Sequence, residues 1–426
     1  MIKRILYTLL IMFPVVASAQ INTDRVMAIG RNALYFEDYV LSIQYFNQVI
    51  NAKPYLSDPY FYRGLAKINL DDFQGAESDC SEAIERNPFV VSAYQVRGLA
   101  RIQQNNFAGA IEDYTKALEF DPENIGVWHN MALCRIRQED YKGAKNDLDK
   151  LIAISPRYTK AYLMRGEVDL KQKDTLAAEK DFGKAIEIDR YDADTWASRA
   201  ILRLQQQRYK DAEADFDHAI RLSTRNSGVY INRALARYHQ NNLRGAMSDY
   251  DIALDIDPNN FIGHYNRGLL RAQVGDDNRA IQDFNFVIEM EPDNMMAIFN
   301  RGLLLDQTGD YKGAIKDYST VINEYPNFLL GYQYRAQARR KIGDVKGADA
   351  DEFKVLKAQL DKQNGVDPNK QTADNTENNK TRKKSDKNMN NYRKIVVADN
   401  EEGEEKYKSD YRGRVQDKNV NIVPQP

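Results

Sequence analysis

A pair of oppositely charged residues recurs along this sequence at one spacing. Arginines stand at 34-residue intervals, with Met131 as a single exception, at Arg63, Arg97, Arg165, Arg199, Arg233, Arg267, Arg301 and Arg335. Aspartates stand sixteen positions after these places, at Asp79, Asp113, Asp147, Asp181, Asp215, Asp249, Asp283, Asp317 and Asp351. A row of free guanidinium groups would suit a polyanion, whereas matched opposite charges form ion pairs. Because every arginine has its own aspartate, the pattern favours a structural ion-pair ladder that includes Arg233–Asp249, Arg267–Asp283 and Arg301–Asp317.

The residues that usually carry catalysis or bind metals form no recognisable group. No two of the four histidines have metal-ligand spacing: His129, His218, His239 and His264. No glycine-rich phosphate loop, HExxH motif or nucleophile elbow occurs. The sequence therefore predicts no catalytic residue, no metal site and no cofactor, and a protein that is not an enzyme.

The charge balance narrows the choice of partner. Lys+Arg is 60 and Asp+Glu is 62, which gives a formal net charge of −2. Proteins that bind nucleic acid usually show a basic excess on one face, so no nucleic-acid partner is expected. No stretch after the first twenty residues is apolar enough to span a bilayer, so no transmembrane segment is expected either.

The charged pairs belong to a longer repeat. Residues 266–292 read NRGLLRAQVGDDNRAIQDFNFVIEMEP, and residues 300–326 match them without a gap as NRGLLLDQTGDYKGAIKDYSTVINEYP. Prolines mark the same period at Pro54, Pro88, Pro122, Pro156, Pro258, Pro292 and Pro326, and Arg190 and Thr224 stand at the two intervening places. A Gly or Ala stands 24 residues before each of these places, a Ser or Ala twelve before, and a bulky or apolar residue eight before. Eight consecutive 34-residue periods without an insertion indicate a repeat array.

Each repeat predicts two helices. Apolar residues recur at helical spacing, and a polar break such as VGDD at 274–277 divides each repeat in the middle. We therefore expect two helices of about 12–14 residues, joined by a tight turn, with the proline ending the second helix. The small positions should let the two helices approach closely, and the bulky position should fill the space beside them.

The repeat resembles the tetratricopeptide repeat (TPR). The aromatic opening position of that family is matched by Tyr60, Tyr94, Trp128, Tyr162, Trp196, Tyr230 and Tyr332, and its small and bulky positions by the columns above. The resemblance implies an all-α, right-handed superhelical solenoid of about ten antiparallel helix pairs with an inner groove. The solenoid would cover residues 20–362, with repeats near 23–56, 57–90, 91–124, 125–158, 159–192, 193–226, 227–260, 261–294, 295–328 and 329–362.

One position departs from the family pattern. Where a tyrosine often stands late in the first helix, this chain has a cation at Lys67, Arg101, Arg135, Arg203, Arg237, Arg271 and Arg339. We expect the aliphatic stems of these side chains to pack there. Antiparallel helices bring residues at equal distance from a turn side by side. Asp283 is therefore predicted to lie between Arg267 of its own repeat and Arg301 of the next.

The two ends of the chain differ from the array. Residues 1–19 carry two positive charges, an apolar run and a small-residue ending, which is typical of a secretory signal peptide cleaved near Ala19/Gln20. The mature protein is therefore expected to be periplasmic or secreted. Residues 363–426 are expected to form a disordered, low-complexity polar tail with short strand-like segments at 394–399 and 419–423. The final VPQP suggests either a docking segment or further sequence beyond it.

Export would allow Cys80 and Cys134 to form a disulfide. The two cysteines are 54 residues apart and fall at different places on their helix pairs. Their positions favour two small, buried, apolar side chains instead.

The resemblance also implies where a partner would bind. First helices line the groove of TPR proteins, and asparagines stand two residues before the Gly/Ala position at Asn130, Asn232, Asn266 and Asn300. Aromatic rings stand one place earlier, at Phe61, His129, Tyr265 and Phe299. Exposed asparagines both donate to and accept from an extended peptide backbone. These eight residues are the candidate peptide-binding site, and solvated polar residues near the helix seams are the alternative interpretation.

The sequence thus favours a TPR adaptor that binds other proteins or extended peptides in its concave groove, outside the cytoplasm. A structural scaffold of a cell-envelope complex, acting through its convex face and tail, is the alternative. Glycan recognition by the groove aromatics is a third hypothesis.

Overall fold

The computed structural model describes residues 22–222, 225–364, 389 and 392–395. These residues form twenty helices and no strand. They divide into two compact units, and the described part of unit 1 covers residues 22–188 while that of unit 2 covers residues 189–395. The prediction of an all-α fold is confirmed.

Unit 1 contains five consecutive helix pairs, in which each odd-numbered helix packs on the even-numbered helix that follows. Its helices are α1 Thr23–Tyr35, α2 Tyr39–Ala52, α3 Asp58–Asn69, α4 Phe73–Arg86, α5 Val91–Gln103, α6 Phe107–Phe120, α7 Ile125–Arg137, α8 Tyr141–Ile154, α9 Thr159–Lys171 and α10 Thr175–Ile188.

Unit 2 contains five further pairs built in the same way. Its helices are α11 Ala193–Gln205, α12 Tyr209–Arg221, α13 Ser227–His239, α14 Leu243–Ile256, α15 Phe261–Gln273, α16 Asp277–Met290, α17 Met295–Thr308, α18 Tyr311–Glu324, α19 Leu329–Lys341 and α20 Val345–Gln363. Each pair of both units lies within one predicted repeat, except that α20 ends one residue past the last repeat boundary.

The same turn closes every helix pair. One residue per turn has a left-handed backbone, at Glu37, Asp71, Asn105, Glu139, Lys173, Gln207, Asn241, Gly275, Gly309 and Gly343. This conformation costs a residue other than glycine roughly 1–2 kcal/mol, so helix packing imposes the turn on seven of the ten pairs. In most pairs an asparagine or aspartate then caps the second helix, as where Asp72 accepts from the Gly75 N–H at 2.9 Å.

The two helices of a pair approach closely at the Gly/Ala position. A Cβ on Gly166 would lie 2.6 Å from a ring carbon of Phe182, and one on Gly302 would lie 2.9 Å from the Tyr318 ring. Both rings are fully buried. The predicted match of small and bulky positions is confirmed, and burying one such ring stabilises the fold by roughly 1.5–3 kcal/mol.

The predicted signal peptide at 1–19, the strand-like segment at 419–423 and all but the first two residues of the one at 394–399 lie outside the described residues. Over the parts of the chain that are described, none of the helices combines the length and the apolar character needed to cross a bilayer.

Candidate functional site

The first helices of three consecutive pairs in unit 2, α13, α15 and α17, form one face, which we call the first-helix face. It carries a column of buried asparagines. Asn232, Asn266 and Asn300 occupy the same repeat position on α13, α15 and α17, the first helices of consecutive pairs. Asn232 and Asn266 are 0% exposed, and Asn300 is 5% exposed. Tyr265 and Phe299, one place earlier, are also buried. The prediction that these side chains are exposed in an open groove is therefore wrong for unit 2.

The C-terminal part of the chain itself covers Asn300. The carbonyl oxygen of Tyr392 accepts hydrogen bonds from the Tyr265 hydroxyl at 2.7 Å and from Asn300 Nδ2 at 2.6 Å. Asn300 Nδ2 also donates to the Met296 carbonyl at 2.9 Å, which orients the amide. Two side-chain donors thus converge on one main-chain oxygen, as they would on the backbone of a bound peptide.

Apolar side chains reinforce this contact. The Tyr392 ring meets the Phe299 ring edge to face, with centroids 4.8 Å apart and ring planes at 88°. Met389 is 5% exposed and belongs to the apolar cluster around Phe299. The Tyr392 N–H donates to the Met389 carbonyl at 3.3 Å, so these two residues form one turn. Edge-to-face aromatic pairs add about 0.5–1.5 kcal/mol to the effect of burial.

Ile395 provides a second apolar anchor. It is 9% exposed and joins a separate cluster that includes Val229 and Leu235 of α13. The two basic residues between Tyr392 and Ile395 are exposed. We call Met389 and residues 392–395 the C-terminal segment.

The C-terminal segment corrects one expectation about the tail. The sequence predicted that residues 363–426 would remain unpacked because their composition is polar. Met389, Tyr392 and Ile395 interrupt that composition at three-residue steps, and their side chains pack on unit 2. The polar interpretation is therefore wrong for this segment.

A cavity of about 380 Å³ remains beside the C-terminal segment. Its walls come from α13, α15, α16 and α17 and from Arg393 and Ile395 of the segment. Asn300 and Gln307 contribute polar groups to the lining, and Leu303 is one of its apolar members. The segment thus leaves part of the first-helix face unfilled.

The predicted site residues of unit 1 have different surroundings. Asn130 and His129 on α7 and Phe61 on α3 are half-buried. His129 Nδ1 lies 3.3 Å from the Tyr158 hydroxyl, and burial together with the charge of Lys160 lowers the pKa of His129. Among the eight predicted residues, the structure brings Tyr265, Phe299 and Asn300 together around one segment of chain.

Family models match much of the repeat region. The model for the TPR repeat matches residues 98–134. Models for the tetratricopeptide repeat match residues 125–158 and 159–192, and residues 198–261 and 265–327. The chain belongs to the tetratricopeptide repeat family.

Several solved TPR structures are similar to parts of this chain. A tetratricopeptide repeat protein from Parabacteroides merdae is 21% identical, with a TM-score of 0.46, over 58% of this chain and 98% of the other. The C-terminal part of a TPR repeat-containing protein from Cytophaga hutchinsonii is 18% identical, with a TM-score of 0.47, over 56% and 97%. YrrB, described as a TPR protein with an unusual peptide-binding site, is 20% identical, with a TM-score of 0.36, over 43% and 95%. No curated protein matches the chain.

Each ladder arginine of these TPR pairs contacts the aspartate of its own pair. The Nη2–Oδ1 distances are 2.6 Å for Arg233–Asp249, 2.8 Å for Arg267–Asp283 and 2.7 Å for Arg301–Asp317. All three aspartates are at most 3% exposed. These guanidinium groups are used inside the fold, which leaves the polyanion interpretation without support.

The second partner of the aspartate differs from the prediction. Asp283 accepts from Arg271 Nη1 at 2.7 Å and lies 3.0 Å from His264 Nδ1. Arg301 of the next pair instead donates to Asn285 at 2.9 Å. The prediction that Arg301 also pairs with Asp283 is wrong because the side chain level with Arg301 on the previous pair is that of residue 285. Arg271 follows Arg267 by four residues, on the same helix face, and that spacing is the sequence signal for the second partner.

Two of these carboxyl groups differ in acidity. Burial raises the pKa of Asp283, but hydrogen bonds from its histidine and arginine partners outweigh burial, so its pKa is lowered. Asp147 accepts from Arg135, but Met131 stands where the ladder arginine would be. Burial therefore dominates at Asp147 and raises its pKa to about 6.

Cys80 and Cys134 are buried, and each is a free thiol. Burial raises the pKa of both thiols, that of Cys134 to about 12. The disulfide interpretation is therefore wrong, and both cysteines serve as apolar packing residues. Within the described ranges, no group of three or more His, Cys, Asp or Glu side chains is placed to hold a metal ion.

Proposed function

We propose that this protein is a non-enzymatic TPR adaptor that binds a peptide segment of another protein on the first-helix face of unit 2. The observation that carries the proposal is the pair of donors, Tyr265 hydroxyl and Asn300 Nδ2, on one main-chain carbonyl. Every peptide offers such a carbonyl. The adjacent ring of Phe299 adds a preference for an aromatic side chain. This combination favours a peptide ligand over a glycan.

The proposal also places the protein outside the cytoplasm, in the periplasm or the surrounding medium. The support is the sequence of residues 1–19, which has the charge, apolar run and small-residue ending of a signal peptide. Intact-mass analysis of the protein from the cells that make it tests this. Mature protein should begin at Gln20, and soluble mature protein that still carries Met1 would contradict export.

Partner capture with two matched variants tests the binding proposal. Full-length protein is immobilised and exposed to a cell-envelope extract, and any captured protein is then purified and titrated directly. Asn300→Ala removes a donor of the proposed site, and Asn130→Ala changes the same repeat position in unit 1. Both are compared in a Tyr392→Ala/Ile395→Ala background, because Asn300 also donates to the Tyr392 carbonyl of the chain itself, and there we expect Asn300→Ala to weaken binding of the purified partner about fivefold or more. Asn130→Ala should bind like the wild type.

The scaffold hypothesis predicts a different pattern. A partner held by the convex face or the tail would bind both asparagine variants with wild-type affinity. That result, with both variants folded by circular dichroism, would remove the first-helix face of unit 2 from consideration.

A further inference from the structure

The C-terminal segment occupies the proposed peptide-binding face within the same chain. The Tyr392 carbonyl accepts the hydrogen bonds from Tyr265 and Asn300, and the Tyr392 ring packs on Phe299. Met389 and Ile395 are buried on either side of it. A bound peptide would make the same set of contacts: one held carbonyl, one central ring and two flanking apolar anchors.

The sequence before the C-terminal segment differs from the segment itself. Residues 365–388 contain no aromatic residue and no Leu, Ile or Met. Apolar side chains resume at Met389 and recur at Tyr392 and Ile395, and among the described residues of the tail these three pack on the helices of unit 2. Arg393 and Lys394 remain exposed. In the described part of the tail the apolar residues therefore make the contacts and the basic residues stay exposed, as in a recognition motif.

The fit of the C-terminal segment is incomplete. The cavity of about 380 Å³ lies between the segment and the helices, beside Arg393 and Ile395. Unfilled space next to a bound group forfeits dispersion contacts. A peptide from another protein with a larger side chain at that place would make contacts that the segment does not make, and would bind more tightly.

We infer that the C-terminal segment is an intramolecular competitor that mimics the partner and closes the site until the partner displaces it. This inference rests on the proposed function. It assigns the partner a chemical class: a peptide with an apolar residue, an aromatic residue three positions later, and an aliphatic residue three positions after that. The carbonyl of the aromatic residue binds Tyr265 and Asn300.

Covalent connection makes the competition strong even when the contacts are modest. A segment joined to its own site acts at an effective concentration of the order of 1 mM for a short connection. If the same segment as a free peptide binds with a Kd of about 50 μM, the connected segment weakens binding of any competing peptide about 20-fold. Loss of the intramolecular contact should therefore strengthen binding of the competing peptide by the same factor.

Binding of the free segment to full-length protein tests the inference. The probe is a fluorescently labelled peptide of residues 387–397, KNMNNYRKIVV, and binding is followed by fluorescence anisotropy. Tyr392→Ala/Ile395→Ala removes the ring and one anchor from the segment and leaves the helices of unit 2 unchanged. Lys394→Ala is the matched control, because it alters an exposed residue of the same segment. We expect the double variant to bind the peptide at least tenfold more tightly than the wild type or the control.

Each other outcome has a definite meaning. Equal, measurable binding to wild type and double variant would overturn the intramolecular competition while leaving the peptide-binding function intact. No binding to either protein would overturn the claim that the segment is a ligand. Partner capture with the asparagine variants would then decide the proposed function separately.

Discussion

Units 1 and 2 are built from the same helix pairs but differ at one position of the first helix. Two residues before the Gly/Ala position, unit 1 has the half-buried side chains of Tyr62, Val96, Asn130 and Met164. Unit 2 has three successive buried asparagines there, Asn232, Asn266 and Asn300. Positions that pack one helix on the next hardly vary between the units, because any change there disrupts the pair. The first-helix face is free of that constraint, so it is where a site can differ between repeats.

The comparison extends to the ion pairs. Asp283 of unit 2 has three side-chain partners, Arg267, Arg271 and His264. Asp181 of unit 1 accepts two hydrogen bonds from Arg165. Residue 169, which corresponds to Arg271, is an aspartate. The same ladder is therefore held by different numbers of donors along the chain.

Removal of Asp283 from unit 2 and of Asp181 from unit 1 should show the largest difference in stability. Asp283→Ala removes the buried partner of two guanidinium groups, and it leaves Arg267 with Asp251 at 2.8 Å and Arg271 with that same carboxylate only at 3.9 Å. We expect it to lower the free energy of unfolding by about 3 kcal/mol, the lower end of the cost of breaking a buried pair. Asp181→Ala removes the buried partner of one guanidinium group, that of Arg165, which keeps Asp149 at 2.6 Å, so its effect should be at least about 1 kcal/mol smaller. Each unit holds one tryptophan, Trp128 in unit 1 and Trp196 in unit 2. Urea unfolding of single-tryptophan backgrounds therefore reports each unit separately. Equal losses at both sites would mean that the number of partners does not matter.

The pH dependence that Asp147 contributes to unit 1 should differ in sign from the one that Asp283 contributes to unit 2. Asp147 has a pKa of about 6 in the fold and about 3.9 when unfolded. Between these values the native state holds the extra proton, so unit 1 should lose stability as pH rises from 4 to 6. Asp283 has a lowered pKa in the fold. Its stabilisation of unit 2 is present above about pH 4 and is lost as pH falls below that value.

The variant Asp147→Asn tests whether Asp147 causes this loss of stability in unit 1. Asp147→Asn should flatten the loss between pH 4 and 6 and stabilise unit 1 at pH 7 by a free energy of the order of 2 kcal/mol. Arg135 keeps a partner in that variant because it also contacts Asp140 at 2.9 Å. Urea titrations at several pH values provide the measurement. A loss of stability at pH 7 would show instead that Asp147 is a net stabilising ion.

The smallest effect should come from one hydroxyl. Tyr265→Phe removes one of the two donors to the Tyr392 carbonyl. In the Tyr392→Ala/Ile395→Ala background it should weaken binding of the 387–397 peptide by about 1 kcal/mol, or roughly fivefold. Tyr162→Phe removes a hydroxyl that donates to Pro156 in unit 1, and it should leave peptide affinity unchanged. Equal effects of the two variants on affinity would point to a general loss of stability.

The fold followed from the sequence because its determinants are local. Helix pairs, small positions such as Gly166 and bulky ones such as Phe182 recur every 34 residues, and each contacts its own or the next repeat. Arg267 and Asp283 were paired correctly by counting residues from a shared turn. The same count failed for Arg301 because the loop between pairs offsets the neighbouring helices, which brings residue 285 to its level.

The occupied site was beyond sequence reasoning for a different reason. Tyr392 and Asn300 are 92 positions apart, and no period relates them. The apolar residues Met389, Tyr392 and Ile395 carry no signal in the sequence of where they pack. The sequence singled out Tyr265, Phe299 and Asn300 as groove residues, but not the segment of this chain that meets them.

Hydrogen–deuterium exchange on the full chain tests the central claim most directly. The wild type is compared with Tyr392→Ala/Ile395→Ala, and exchange is mapped by mass spectrometry. If the C-terminal segment binds the first-helix face of unit 2, the double variant should exchange faster in α15 and α17 and should match the wild type in α1 to α10. Unchanged exchange in α15 and α17, or an equal increase in both units, would contradict the claim.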